Sequence, residues 1–176
     1  MEFNDVYDSQ RNLTGKVHRR GSHWQPGEYG LVVCVWVYDG RGHLLLTRRA
    51  KGKSFAGTWE NSGGAAKAGE DSRQAIVREL YEETGIRAEA EEFEYLSTTR
   101  DRCMFYDHYC LRRNTPARDV VLLPGETDAV QWASFDKIRQ MIEKGQICAV
   151  IGQQFLQEES ALRQRQTAQP EQENFG

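Results

Sequence analysis

Long hydrophobic runs are missing from this 176-residue chain, and no stretch approaches the ~20 apolar residues that a membrane-spanning helix needs. The first ten residues, MEFNDVYDSQ, have neither the basic start nor the apolar stretch of a secretory signal, so a cytoplasmic protein is the expectation. An excess of one charge is also missing. Against 23 Lys and Arg stand 26 Asp and Glu, a net charge of −3, which gives no general attraction to nucleic acid or acidic lipid. Nucleic acid and membranes are therefore not expected partners, while capped or free nucleotides stay open as substrates. Cys34, Cys103, Cys110 and Cys148 form no CxxC pair and no metal-ligand spacing, which reads as free thiols in a reducing compartment. Cys34 and Cys110 lie in apolar strand-like runs and are expected in the core. His18, His23, His43 and His108 are scattered with no HxxE or HxxxH spacing, so surface or hydrogen-bonded positions are expected for them. There is no internal repeat.

What the chain does have is enough length for one domain with a proper core and too little for two. A single domain over residues 1–165 is expected, followed by a Gln-rich, disordered tail at 166–176. DVYD and KVHR read as a small hairpin over about residues 5–19 with Gly15 in its turn. YGLVVCVWVYD is a strand of β-branched and aromatic residues, and DGRG turns it back into HLLLTRR as its partner. AKGKSFAGTWENSGG is a polar, glycine-rich connection. A helix follows, with Asp71 or Ser72 as its N-cap and Gln74 placed for a capping box. Ala75, Ile76, Leu80 and Tyr81 are its expected buried stripe, and Gly85 its C-terminal cap. EFEYLSTTR and RCMFYDHYCLRR are strands, NTPARDVVLLPGET a loop, and DAVQWASF a strand entering the helix DKIRQMIEKG. A last helix covers AVIGQQFLQEESALRQRQ. This order suits an α/β fold, a mixed sheet sandwiched between helices.

The first helix carries the chemistry. Glu79, Glu82 and Glu83 fall on neighbouring positions of one face, where like charges destabilise a helix by a few tenths of a kcal/mol. Oxygen-rich clusters of this kind suit hard cations such as Mg²⁺ or Mn²⁺, which share their coordination with water and substrate phosphates. A glycine-rich loop just before the helix adds backbone groups at the same place. From the three glutamates alone, a plain surface patch is an equal alternative.

The spacing goes further. Gly64, five residues, Glu70, seven residues, then Arg78-Glu79-Leu80-x-Glu82-Glu83-x-Gly85-Ile86 matches every specified position of the Nudix box, here residues 64–86. The chain resembles the Nudix hydrolase family over most of residues 5–145, with VVCVWVYDGRGHLLLTRR, GTWENSGG and TDAVQWASFDKI matching beyond the box. The resemblance implies a Nudix fold and cleavage of a nucleoside diphosphate linked to another moiety. It implies that Glu79, Glu82 and Glu83 bind Mg²⁺ or Mn²⁺ together with the Gly64 carbonyl, that Arg78 positions the carboxylates, and that Glu70 and Gly85 support the motif. Glu82 and the loop acid Glu126 are the candidates for general base.

The amino-terminal half is similar to the isopentenyl-diphosphate isomerase-like Nudix subgroup, through DVYDSQRNLTGKVHRRG and LLLTRRAKGKSFAGTWENS. That similarity implies a diphosphate clamp at Arg49 and Lys53. Trp59 is a candidate to stack on a base, with Trp132 beside it; Phe105 and Tyr106 are weaker candidates on the substrate side, and core packing is the alternative for all four. Gly63 and Ala65 stand where the isomerase needs a cysteine and a histidine, so hydrolysis is favoured over isomerisation. A ligand-binding or sensor module without turnover is the other alternative. Substrate choice is expected in residues 50–62, 97–108 and 113–127; the moiety attached to the diphosphate and the oligomeric state stay open.

Overall fold

The computed structural model describes residues 1–167; positions 168–176 of the expected tail lie outside the described residues. Strands β1 (Phe3–Tyr7) and β2 (Leu13–Arg19) form an antiparallel hairpin of their own. Its turn lies at residues 8–12, where the Asp8 carboxylate accepts from the backbone N–H of Gln10 and Asn12. Gly15, expected in that turn, sits instead inside β2, where the pairing register shifts between Asp5 and Tyr7.

The main sheet has seven strands: β3 (Gly30–Tyr38), β4 (His43–Arg49), β5 (Trp59–Glu60), β6 (Ser62–Ala65), β7 (Glu94–Asp101), β8 (Met104–Arg112) and β9 (Thr127–Ser134). It is mixed, because β3 and β8 run parallel while the other pairings are antiparallel. The expected β3–β4 hairpin pairs only at Tyr38 and Leu44. Beyond that point β3 takes β6 and β8 as neighbours, β4 takes β5 and β9, and the two strands diverge. The opening between them is where the polar residues collect.

Alternation along β3 divides the core. Leu31, Val33, Val35 and Val37 pack with Ala75, Ile76 and Leu80 of helix α1 (Ser72–Thr84) on one face. Trp36 and Tyr38 pack with Phe135, Ile138 and Met141 of α2 (Phe135–Glu143) and Phe155 and Leu162 of α3 (Ala149–Thr167) on the other. A fully buried aliphatic side chain of this kind contributes ~1.5–3 kcal/mol. The result is the expected sheet between helices. Cys34 and Cys110 are buried, as expected. Helix α3 runs through Thr167, one residue past the helix expected at AVIGQQFLQEESALRQRQ, so Gln166 and Thr167 are both helical although the domain bound was drawn at 165. Gln166 earns its order by accepting from the Gly42 N–H at 3.2 Å and donating to the His43 carbonyl at 3.2 Å.

Helix α1 starts at Asp71, whose side chain accepts from the Gln74 N–H at 2.8 Å while the Gln74 side chain accepts from the Asp71 N–H at 2.9 Å. It ends on Gly85 at φ 68°, a left-handed conformation that glycine adopts without a Cβ penalty. The buried stripe differs from expectation at one place. Thr84, not Tyr81, completes it, because Ile76, Leu80 and Thr84 repeat every four residues and Tyr81 lies about 100° further round. Tyr81 is 46% exposed, and the Arg87 guanidinium lies 4.9 Å from its ring centre.

Candidate active site

With Ala75, Ile76, Leu80 and Thr84 turned to the core, α1 presents Glu79, Glu82 and Glu83 to the opening between β3 and β4. Arg78 organises them. Its Nη1 donates to Glu79 at 2.8 Å and Glu82 at 3.1 Å, and its Nε and Nη2 grip the two oxygens of Glu70 at 2.6 and 2.8 Å. Nη2 also reaches the Ala65 carbonyl at 3.2 Å. One guanidinium therefore offsets the repulsion among Glu70, Glu79 and Glu82. The Arg78 contact holds the Glu70 carboxyl below its ordinary range, and the Lys67 N–H donates to it at 2.8 Å.

Glu83 is held by the Gly63 backbone and the Ser62 side chain. It accepts from the Gly63 N–H at 3.2 Å, and burial, reinforced by Glu60 and Glu79, pushes its carboxyl up to about 8. Burial also raises Glu79, against the pull of Arg78. Gly64 lies beside Glu79 so closely that a Cβ there would stand 2.4 Å from Oε1. The strand β6 pairing, Gly64 with Val33 and Gly63 with Cys34, holds this loop against β3.

The facing wall comes from β4 and the loop after it. Arg49 donates through Nη1 to both oxygens of Glu60 at 2.8 Å and through Nε to the Ser54 carbonyl at 2.6 Å. Lys53 is ion-paired with Glu126, and the Ala50 N–H donates to the Glu126 carbonyl at 2.9 Å, tying the two loops together. The hairpin supplies a third side: Glu2 and Arg20 pair with each other there, and Lys67 Nζ lies 3.7 Å from Glu2 and 3.6 Å from Glu82. Together these residues enclose a polar cavity of about 260 Å³.

The cavity brings together Arg49, Lys53, Gly64, Arg78, Glu79, Glu82, Glu83 and Glu126. Glu70 stands behind Arg78, and Gly85 caps the helix outside the cavity. Trp59 does not line it; its ring packs toward the α2–α3 core with Arg48 5.7 Å from its centre. Trp132 packs against the α1 side and donates to the Thr115 carbonyl at 2.9 Å, and Phe105 is buried. Of the three segments named for substrate choice, 50–62 and 113–127 contribute Lys53, Leu123 and Glu126, and 97–108 contributes nothing to this cavity. Sequence reading missed Glu60, Glu2 and Arg20. No local pattern marks them: Glu60 enters through the β4–β5 register, and the other two through the docking of the hairpin.

The donor set of Gly64 carbonyl, Glu79, Glu82 and Glu83 is all hard oxygen, the chemistry that suits Mg²⁺ or Mn²⁺. Among the described residues no three acidic, His or Cys side chains already converge as a cage. Arg78 draws Glu79 and Glu82 toward itself while Glu83 turns to Gly63. A buried carboxylate whose neighbours are other acids is the kind of group that a cation stabilises, so the residues fit the ion.

Residues 28–150, well over half of the chain, match the family model for the NUDIX domain. The chain belongs to the Nudix family. It is similar, with 31% identity over 154 residues, to an uncharacterized Nudix hydrolase of Listeria innocua, a match covering 83% of this chain and 88% of that protein. An isopentenyl-diphosphate Delta-isomerase of Halorhodospira halophila is 37% identical over 88 residues, 49% of this chain and 50% of that enzyme. Among crystal structures, a Deinococcus radiodurans protein shares the fold with a TM-score of 0.70 at 21% identity, covering 84% of this chain and 92% of that one. The protein is thus a Nudix enzyme, a pyrophosphohydrolase by family. Its hairpin lies ahead of the matched segment, yet Glu2 and Arg20 line the Nudix cavity.

Proposed function

We propose that this Nudix enzyme uses a divalent cation to hydrolyse the diphosphate bond of a nucleoside diphosphate linked to another moiety, with residues 1–165 acting as one domain. The observation that carries the reading is the pairing of opposite walls in one cavity: Glu79, Glu82 and Glu83 on one side, Arg49 and Lys53 on the other. In this reading Glu79, Glu82, Glu83 and the Gly64 carbonyl hold the ion. When bound, the ion neutralises diphosphate charge and acidifies a water for attack on phosphorus. Arg78 keeps the carboxylates in register through its bonds to Glu70, Glu79 and Glu82. Arg49 and Lys53 bind the phosphates that the acids would otherwise repel. Glu126, 44% exposed at its side chain and tethered to Lys53, can receive the proton of the attacking water once phosphate takes Lys53 from it; Glu82 is the alternative acceptor.

Isomerisation is less well supported despite the isomerase match. Cys34 lies opposite Gly63 on β3, the position nearest to where the isomerase has its cysteine, but it is buried and burial pushes its thiol up, so it stays protonated and inert. The test is metal-dependent phosphate release across nucleotide sugars, dinucleoside polyphosphates, nucleoside di- and triphosphates and coenzyme diphosphates. Turnover of one class, abolished by EDTA and restored by Mg²⁺ or Mn²⁺, is the expected result. Silence across the panel, with Mg²⁺ still raising the melting temperature, would make the protein a binding module.

Gly64→Ala probes the fit between loop and helix. Its Cβ would fall 2.4–2.6 Å from the Glu79 carboxyl atoms, the far end of a flexible side chain, so the fold should survive while Glu79 is displaced. Turnover should drop more than about tenfold, as for residues that orient metal ligands, with little change in melting temperature. Unchanged turnover at saturating Mg²⁺ would remove Glu79 from the machinery.

A further inference from the structure

Arg49 is not a loose cation. Nη1 bonds both Glu60 oxygens at 2.8 Å and Nε bonds the Ser54 carbonyl at 2.6 Å, while Nη2 has no hydrogen-bond partner among the described residues. Two of the three nitrogens are anchored and the third is left on a residue that lines the cavity. Lys53 is held differently. Its partner Glu126 has a 44% exposed side chain on a loop, whereas the Glu60 side chain is 14% exposed and belongs to a strand registered against Thr47. Glu126 can part from Lys53 and be rehydrated. Glu60 cannot part from Arg49 without leaving a buried carboxylate unpaired beside Glu83, which is strongly unfavourable.

We infer that Glu60 is the positioning residue of the diphosphate clamp: it holds Arg49 by Nη1, presents Nη2 to a substrate phosphate, and keeps its own bond while substrate is bound. A planar guanidinium can serve a carboxylate on one edge and a phosphate on another, which a lysine ammonium on a flexible stem cannot do with the same geometry. The two cations of the wall therefore have different duties. Arg49 is pre-organised, and Lys53 exchanges an acid for the substrate. The inference rests on the reading of this cavity as a diphosphate site.

The experiment measures KM and kcat, together with binding of inorganic pyrophosphate by calorimetry, in the wild type, Glu60→Gln, Arg49→Ala, Arg49→Lys and the Glu60→Gln/Arg49→Ala double variant, each checked for folding by circular dichroism. Glu60→Gln should raise KM and weaken pyrophosphate binding about tenfold, within the range of coupled neighbours, with kcat changed no more than about twofold. Arg49→Ala should do at least as much, and adding Glu60→Gln to it should change nothing further. Arg49→Lys should behave like Arg49→Ala although it keeps the charge; that variant decides the matter if Glu60→Gln fails to fold. Equal weakening by Glu60→Gln with and without Arg49, a fall in kcat alone, or a wild-type KM in Arg49→Lys would overturn the role of Glu60. If Arg49→Ala itself leaves KM and pyrophosphate binding unaltered, the diphosphate reading of this wall fails instead.

Discussion

Glu83→Gln should fold normally and lose metal-dependent turnover by more than about a hundredfold, since even groups behind a metal's ligands are commonly worth 10–100-fold. The variant is close to isosteric, so the fold has no reason to change. A pH signature accompanies it. Burial lifts the Glu83 carboxyl to about 8 in the folded protein without metal, above its value in the unfolded chain. A raised acid favours the folded state while it is protonated. Its contribution is complete below the unfolded value and fades as pH rises through about 8. In EDTA, the wild type should therefore lose stability between roughly pH 5 and pH 8, and Glu83→Gln, which cannot ionise, should show a flatter profile. Mg²⁺ should restore the wild type at the upper end of that range and release protons as it binds. Thermal melts across pH, with and without Mg²⁺, beside turnover assays, check both parts. A folded Glu83→Gln enzyme with normal activity would refute its place at the ion.

The largest effect on stability is expected from Arg11. This residue, at φ 68° in the hairpin turn, pairs with Asp107 on β8 through both carboxylate oxygens. Asp107 also accepts from Ser72 Oγ at 2.5 Å and Thr98 Oγ1 at 2.6 Å, and its side chain is only 2% exposed. Arg11→Ala would leave that carboxylate buried among hydroxyls, a loss of about 3 kcal/mol at the lower end for broken buried pairs, because Arg11 itself is a third exposed. Removing both partners in Arg11→Ala/Asp107→Asn should recover much of it. The acid limb should shift as well. Burial works to raise Asp107, but the bonds from Arg11, Ser72 and Thr98 prevail and hold it below the ordinary carboxylate range. Its stabilisation is present at neutral pH and disappears as pH falls through that lowered value. Arg11→Ala should thus lose stability at neutral pH and show a weaker acid dependence. Urea unfolding at pH 7 and pH 3 tests this; equal stability of variant and wild type at pH 7 would refute a stabilising role for the Arg11–Asp107 pair.

Other bonds dock the hairpin beside the cavity. Asn4 donates to the Ala66 carbonyl at 2.7 Å, the Ala68 N–H to the Phe3 carbonyl at 2.8 Å, and the Gly69 N–H to Asp5 at 2.8 Å. The hairpin therefore lies along the loop that leads into α1, and this docking carries Glu2 and Arg20 to the cavity wall.

Contiguous residues were enough to specify one helix and the motif it carries. The Asp71–Gln74 capping box, the Gly85 stop and the four-residue repeat of Ile76, Leu80 and Thr84 orient α1, and the one-residue steps from Arg78 to Glu83 then set which acids share a face. The box spacing was legible for the same reason, since every member lies within one loop and one helix. Tyr81 was misread because it stands about 100° past Leu80 on the side away from Ile76, which takes its ring out of the core and beside Arg87.

The remaining features depend on contacts between segments far apart in the chain. The divergence of β3 from β4 depends on β6, β8 and β9 competing for their edges, and the β4 pairing reaches 91 positions along the chain at His43–Ser134. That competition opens the cavity, sets Glu60 under Arg49 and turns Trp59 away from the site. Arg11 and Asp107 are 96 positions apart, and neither residue type announces the other. Burial likewise comes from the assembled fold. Glu60 and Glu126 are the same residue type beside the same cavity, yet only packing makes one a fixed anchor and the other an exchangeable partner.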